Sequence, residues 1–277
     1  MEIVLARSAG YCMGVRRAVD IARRLVQDEG RDVYTNGPLI HNPQALDDLR
    51  RSGVIALTDS DAVPRAPVIV RAHGVPPKTL ERLQRQAERV VDATCPKVST
   101  IQQRISEYSG RGYSVVIAGD VDHPEVVGLL GYARGPAYVV GSPEEVDALP
   151  PLDLVLLVAQ TTQDEEVFEA IRDRLLRRFP GAEALSTICQ STHRRQTEVR
   201  EMAPAVDAIV VIGGRNSGNT RRLADIARNL GVPTHHVETA QELPLDELRV
   251  LGRVGVTAGA STPSWVIEEV VRVLSTL

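Results

Sequence analysis

A chain of 277 residues, 43% hydrophobic and 25% charged, holds enough core-forming material for one large domain or two to three smaller ones. Its formal net charge of −4 argues against a general nucleic-acid or membrane-surface binder, and aromatic residues at 3% are too few for base-stacking platforms. Three cysteines, an odd number without a CxxC pair, make a disulfide framework a poor expectation; a cytoplasmic protein with reduced or metal-bound thiols fits better.

In chain order, EIVLARSAGYC (2–12) reads as a strand and not as a secretory leader, because no basic segment precedes a sustained apolar one. No later window approaches the ~18 uncharged apolar residues of a membrane span. Strands are expected at VYTNGPLI (33–40), VIV (68–70), RVVDAT (89–94), YSVVIAG (113–119), AYVVG (137–141), LVLLVA (154–159), AIVVIGG (208–214) and VGVTAG (254–259). Helical patterns alternate with them at 43–53, 77–87, 99–110, 165–179, 219–231 and 263–274, and Gly53, Gly110 and Gly231 sit where helix-stopping glycines belong. Such alternation predicts α/β units around mostly parallel sheets.

The pattern also repeats. From about Gly14 to Cys95 the order is helix, strand ending NGPLIHNP, helix, strand ending RAHGVPP, helix, then VVDATC. From Pro96 to Cys189 it recurs with AGDVDHPE, AQTTQDE and LSTIC. After Cys189 come GGRNSGNT and TAGASTP, a last helix, and no final strand; the N-terminal EIVLARSAGYC supplies it. Intervals between the cysteines match those between His41, His123 and Asn219 to within a residue or two. We therefore expect three similar α/β units, 14–95, 96–189 and 190–277 plus 1–13, in a pseudo-threefold arrangement with the third completed by the N-terminal strand. Ligands of open α/β sheets bind beyond the strand carboxyl ends, so the arrangement would gather Cys12, Cys95 and Cys189 at one centre.

Lone cysteines are often buried, inert apolar residues. Here each recurs at one place in a repeat, before a helix whose N-terminal dipole favours thiolate. Three thiolates could hold zinc with an open position, although a site without histidine or carboxylate is uncommon for catalytic zinc. They also suit an iron–sulfur cluster one ligand short, whose unique iron is open to a substrate oxygen.

Polar residues cluster in the equivalent loops: His41 in LIHNP, His73 in RAHGV, His123 in DHPE, Thr161 in AQTTQ and Ser261 in AGAST. His193, His235 and His236 share no such placement. The third unit offers GGRNSGNTRRL, a glycine-rich turn into a helix where backbone N–H groups, Ser217 and Asn219 suit an anion. It lacks a P-loop lysine and dinucleotide spacing. Hydroxyls, an amide and imidazoles together suit a phosphate or diphosphate better than a purine. Glu125, two residues after His123, either caps the helix EVVGLLGY as a solvated acid or faces the same cavity, where a carboxyl shielded from water serves as proton donor.

GYCMGVRRAV, IHN, AHGV, DATCP, HPEVVG, AQTT, the IC before THRRQ, GGRNSGNTRRL and GVTAGAST follow one another across essentially the whole chain. In this order they resemble the 4-hydroxy-3-methylbut-2-enyl diphosphate reductases, the LytB-type iron–sulfur reductase family. The resemblance implies three α/β domains around a central [4Fe–4S] cluster held by Cys12, Cys95 and Cys189. It implies reductive removal of the allylic hydroxyl of (E)-4-hydroxy-3-methylbut-2-enyl diphosphate, giving isopentenyl and dimethylallyl diphosphates as the final step of the methylerythritol phosphate isoprenoid pathway. His41, His73, Ser217, Asn219 and Ser261 match diphosphate-binding positions, His123 and Thr161 match the hydroxyl end of the pocket, and Glu125 matches the proton donor. A ferredoxin or flavodoxin is the implied electron donor. Two departures stand out: Gly218 where many members have serine, and Gln190-Ser191-Thr192-His193 where Tyr-Ala-Thr-Thr is common.

Three other readings compete. A paralogue could act on a different allylic alcohol, but without an anion the diphosphate donors would be left unpaired. An iron–sulfur sensor or scaffold would have no use for Glu125. A nucleotide binder built on GGRNSGN would bind equally well without the cysteines.

Overall fold

A computed structural model describes residues 1–58 and 61–277. The chain opens with strand β1 (Glu2–Leu5) and continues through helix α1 (Met13–Glu29), β2 (Val33–Asn36), α2 (Pro43–Arg51), β3 (Val54–Leu57), β4 (Pro67–Val70), α3 (Pro77–Gln86) and β5 (Arg89–Asp92). The next stretch is α4 (Pro96–Gly110), β6 (Ser114–Ala118), α5 (Pro124–Leu130), β7 (Ala137–Val140), β8 (Val155–Ala159), α6 (Glu165–Arg178) and β9 (Glu183–Leu185). The last is α7 (Gln190–Met202), β10 (Ala208–Ile212), α8 (Gly218–Asn229), β11 (Thr234–Val237), the single turn α9 (Leu245–Leu248), β12 (Arg253–Ala258) and α10 (Ser264–Leu274).

These strands form three four-stranded sheets, ordered β3-β2-β4-β5, β7-β6-β8-β9 and β11-β10-β12-β1. All pairings are parallel, and each sheet follows the order second, first, third, fourth within its stretch of chain. The expected closure holds: β1 is the fourth strand of the last sheet, pairing Glu2 with Arg253 through Leu5 with Val256. β3 and β11, absent from the sequence reading, are short edge strands. VIAL is apolar but only four residues long and follows directly on a helix-ending glycine, and THHV carries two histidines, so neither stands out as a strand buried on both faces.

By internal contacts the chain divides into two compact units. One comprises Met1–Arg16, Ile40–Leu49 and Gln190–Leu277 and holds the β1–β12–β10–β11 sheet. Alternation of side chains along β10 serves both of its faces. Ala208, Val210 and Ile212 pack with Val266, Val270 and Leu274 of α10, while Ile209 and Val211 pack with Val199 of α7 and Leu223 and Ala227 of α8. The other unit comprises Arg17–Leu39 and Arg50–Cys189 and holds the remaining two sheets. There Val116 and Ala118 of β6 face Phe168 and Ile171 of α6, and Val115 and Ile117 face Val98 and Ile105 of α4 and Val126 of α5. Covered on both faces, each sheet leaves its strand carboxyl ends as the place where polar loops collect.

Candidate active site

In the unit built on two sheets, α5 begins His123-Pro124-Glu125, with proline in the first turn where its missing N–H costs nothing. The His123 ring caps the helix: Nδ1 accepts the Glu125 N–H at 3.1 Å. A neutral ring accepting there carries its proton on Nε2, so this bond fixes the tautomer. The His73 ring stands edge-on to it, centroids 5.5 Å apart.

Glu125 is 2% exposed. Its Oε1 accepts the backbone N–H of Thr161 at 2.6 Å, and its Oε2 lies 2.6 Å from Thr161 Oγ1. An N–H can only donate, so Oε1 is committed as acceptor; Oε2 accepts the Thr161 hydroxyl, and a proton taken up by the carboxyl would sit on Oε2, against a hydroxyl that can reverse its role and pass it on. The solvated-cap alternative is excluded by this burial. Gln160, fully buried, braces the pair by accepting from Asp120 N at 3.0 Å and donating to Thr162 Oγ1 at 2.9 Å, tying the loop after β6 to the loop after β8.

Two cysteines border these loops. Cys189 donates its backbone N–H to the carbonyl of Thr161 at 2.9 Å, so the residue that clasps Glu125 also anchors a thiol-bearing segment. Cys95 stands immediately before α4, ahead of Pro96, and donates its N–H to the carbonyl of Ala72, the neighbour of His73, at 2.9 Å.

In the other unit, Cys12 donates its N–H to the carbonyl of Ala260 at 3.0 Å, and the Val15 N–H at the start of α1 points at its Sγ from 3.5 Å. All three cysteines thus make one bond of the same kind, to the residue two places beyond the third strand of a sheet (Ala72, Thr161, Ala260), and each stands directly before a helix. They lie in loops past the strand ends, and LSTIC is strand only to Leu185. The donor set fits a soft metal centre: three half-buried sulfurs, none in a disulfide, each directly before a helix.

This unit also collects donors for an anion. Ser217 caps α8, its Oγ accepting the Thr220 N–H at 3.3 Å. Asn219, 4% exposed, holds a buried Nδ2 without a hydrogen-bond partner among the described residues. Asn42 caps α2 by accepting the Ala45 N–H at 2.8 Å, and its own buried Nδ2 is likewise without a partner. Ser261 Oγ donates to the carbonyl of His41 at 2.9 Å. That carbonyl lies so close to Gly214 that a Cβ there would meet it at 2.8 Å, which packs the 214–219 loop against His41 and Asn42. Two amide groups buried without acceptors are costly in a protein alone and point to an anionic ligand. The signal for Asn42 in the sequence is its place before a helix-opening proline, a capping signature that says nothing of a ligand.

Ser217, Asn219, Ser261, His41 and Cys12 lie in one unit, and Glu125, Thr161, His123, His73, Cys95 and Cys189 in the other. Among the described residues no helix is long and apolar enough to cross a membrane.

Residues 3–275 match the family described as LytB protein. The chain is 46% identical over 271 residues to 4-hydroxy-3-methylbut-2-enyl diphosphate reductase of Geobacter sulfurreducens, covering 98% of this chain and 96% of that one. It is 47% identical over 284 residues to the enzyme of the same name from Nitratidesulfovibrio vulgaris, covering 100% of both. Among solved structures it resembles (E)-4-hydroxy-3-methyl-but-2-enyl diphosphate reductase, titled the terminal enzyme of the non-mevalonate pathway, with TM-score 0.72 at 40% identity over 100% of both chains. It also resembles E-1-hydroxy-2-methyl-but-2-enyl-4-diphosphate reductase from Plasmodium falciparum, with TM-score 0.94 at 25% identity over 99% of this chain and 88% of that one.

Proposed function

We propose that this chain, which belongs to the LytB protein family, is an oxidoreductase that converts (E)-4-hydroxy-3-methylbut-2-enyl diphosphate to isopentenyl and dimethylallyl diphosphates, the last step of the methylerythritol phosphate route. The family's cofactor is iron–sulfur. We assign it here as a [4Fe–4S] cluster held by Cys12, Cys95 and Cys189, one from each of three repeats spanning 14–95, 96–189 and 190–277 with 1–13. When bound, such a cluster supplies an iron with an open position for the substrate hydroxyl and the two electrons that replace the C–O bond.

The chain's own residues then have separable tasks. Ser217, Asn219, Ser261, His41 and His73, with Asn42, take the diphosphate. A neutral His123 donates from Nε2 toward the hydroxyl end. Glu125 gives its Oε2 proton to the departing oxygen through the Thr161 hydroxyl, so that water leaves instead of hydroxide. A second proton completes the allyl carbon: alcohol, two electrons and two protons give alkene and water. The observation that carries this reading is the Glu125–Thr161–Cys189 connection, because it couples a buried carboxyl directly to a thiol-bearing loop. A small ferredoxin or flavodoxin is the proposed electron donor. A reducing cytoplasm is the compartment in which three thiols outside any disulfide stay available for iron.

The test is anaerobic turnover of the allylic diphosphate by the reconstituted protein with a chemical reductant. Formation of both diphosphate products supports the assignment. No turnover, by protein whose spectrum contains an intact cluster, refutes the substrate.

A further inference from the structure

We infer that Arg195 is a positioning residue for the cysteine centre, fixing with one buried guanidinium the chain that approaches Cys12 and the chain that leaves Cys189. This rests on the reading of those cysteines as cluster ligands. Arg195 is 3% exposed. Its Nη2 donates to the carbonyl of Gly10 at 2.6 Å and its Nη1 to the carbonyl of Ser191 at 2.8 Å. Gly10 lies two residues before Cys12, and Ser191 lies two residues after Cys189.

Local structure is shaped to make the first of these bonds. Gly10 has φ of 105°, a conformation that favours glycine, and a Cβ there would approach Ile267 Cδ1 to 3.4 Å. One turn further along α7, Glu198 Oε2 accepts from Ser8 N at 3.0 Å and Ser8 Oγ at 2.5 Å. The helix that starts directly after Cys189 therefore holds residues 8 and 10, ahead of Cys12, with two side chains.

A guanidinium holds its N–H donors in a rigid planar fork, so two carbonyls on one fork are kept at a set spacing. Moving either segment would break a bond to a buried charged donor, which costs more than a neutral one. A lysine at this position would keep the charge and lose the spacing. Residues that orient metal ligands from behind in this way typically change metal retention by about 10–100-fold when altered.

The experiment compares reconstituted holoprotein of the parent, Arg195→Lys, Arg195→Gln and, as a surface control one residue away, Arg194→Gln. Three quantities are read: iron per chain, the rate of iron release to a chelator, and the cluster midpoint potential from an anaerobic spectroscopic titration. We expect Arg195→Lys to release iron about 10–100-fold faster at a nearly parental potential. Arg195→Gln should match that release and shift the potential negative, since a nearby positive charge favours the reduced cluster. Arg194→Gln should match the parent throughout. A folded Arg195→Lys variant with parental release overturns the inference, and it decides the matter even where Arg195→Gln fails to fold. A parent chain that takes up no iron overturns the cluster reading instead.

Discussion

Replacing Glu125 with glutamine separates proton donation from architecture. The carboxyl makes two bonds of 2.6 Å to Thr161, one to its N–H and one to its hydroxyl. In Glu125→Gln the amide oxygen still accepts from the Thr161 N–H. The amide nitrogen donates to the Thr161 oxygen, so both contacts persist in an isosteric side chain and only the transferable proton is lost. General acid catalysis contributes about 10²- to 10⁴-fold, so turnover should fall by that factor, equivalent to about 2.7–5.5 kcal/mol of barrier. Thermal stability should change by less than about 1.5 kcal/mol, the worth of one altered hydrogen bond. The assay is dye-linked anaerobic turnover normalised to cluster content, beside a thermal melt. A variant that keeps its cluster and turns over at the parental rate would falsify the assignment of Glu125 as proton donor. Glu125 and Thr161 would then be a structural clasp.

Three further outcomes follow from the geometry. Asn219→Ala removes a buried amide nitrogen that has no partner among the described residues, so KM for the allylic diphosphate should rise about 10- to 100-fold, the worth of a bond to a charged group, with kcat little changed; steady-state kinetics decide. Gly214→Ala drives a Cβ to 2.8 Å from the His41 carbonyl and should cost about 1–3 kcal/mol of stability by denaturant titration. Glu183 accepts from the hydroxyls of both Tyr108 and Tyr113 at 2.7 Å, which holds its carboxyl below the usual range and both phenols above theirs. The stabilisation by this clasp is present above the ordinary carboxylate value and lost as pH falls through the lowered Glu183 value. For the raised tyrosines it is present below the ordinary phenol value and lost as pH rises through theirs. This contribution should be constant between those limits, so the difference in melting temperature between the parent and Glu183→Gln should be level there and narrow at both pH extremes.

The parts that could be read from residues alone were those where chemistry and repetition coincide. Three cysteines at one repeat position suggested a shared centre, and a repeat lacking its last strand required β1 to pair with β12. The Glu125–Thr161 bonds are a different case. Their partners lie 36 residues apart and meet because β6 and β8 are hydrogen-bonded neighbours, a fact of strand order that no local pattern carries. The edge strands β3 and β11 are each four residues long, β3 an apolar run too short to stand apart from the helix and glycine before it, β11 broken by two histidines.

Arg195 marks the sharper limit. In THRRQ, adjacent arginines look alike, yet Arg194 is exposed and Arg195 is 3% exposed. Composition cannot tell them apart, because charged residues are the usual markers of a solvated face. The signal that does so is helical phase. The apolar residues of α7, Val199 and Met202, define its inner stripe, and stepping back by three and four residues from Val199 reaches Gln196 and Arg195, then Thr192, all buried. Read by polarity, that stripe ends at Val199; read by phase, it runs on to the start of the helix beside Cys189. A charged residue on the buried phase must have partners within the fold, and here they are the carbonyls of Gly10 and Ser191, so the residue that breaks the hydrophobic pattern also reports what the buried end of the helix holds.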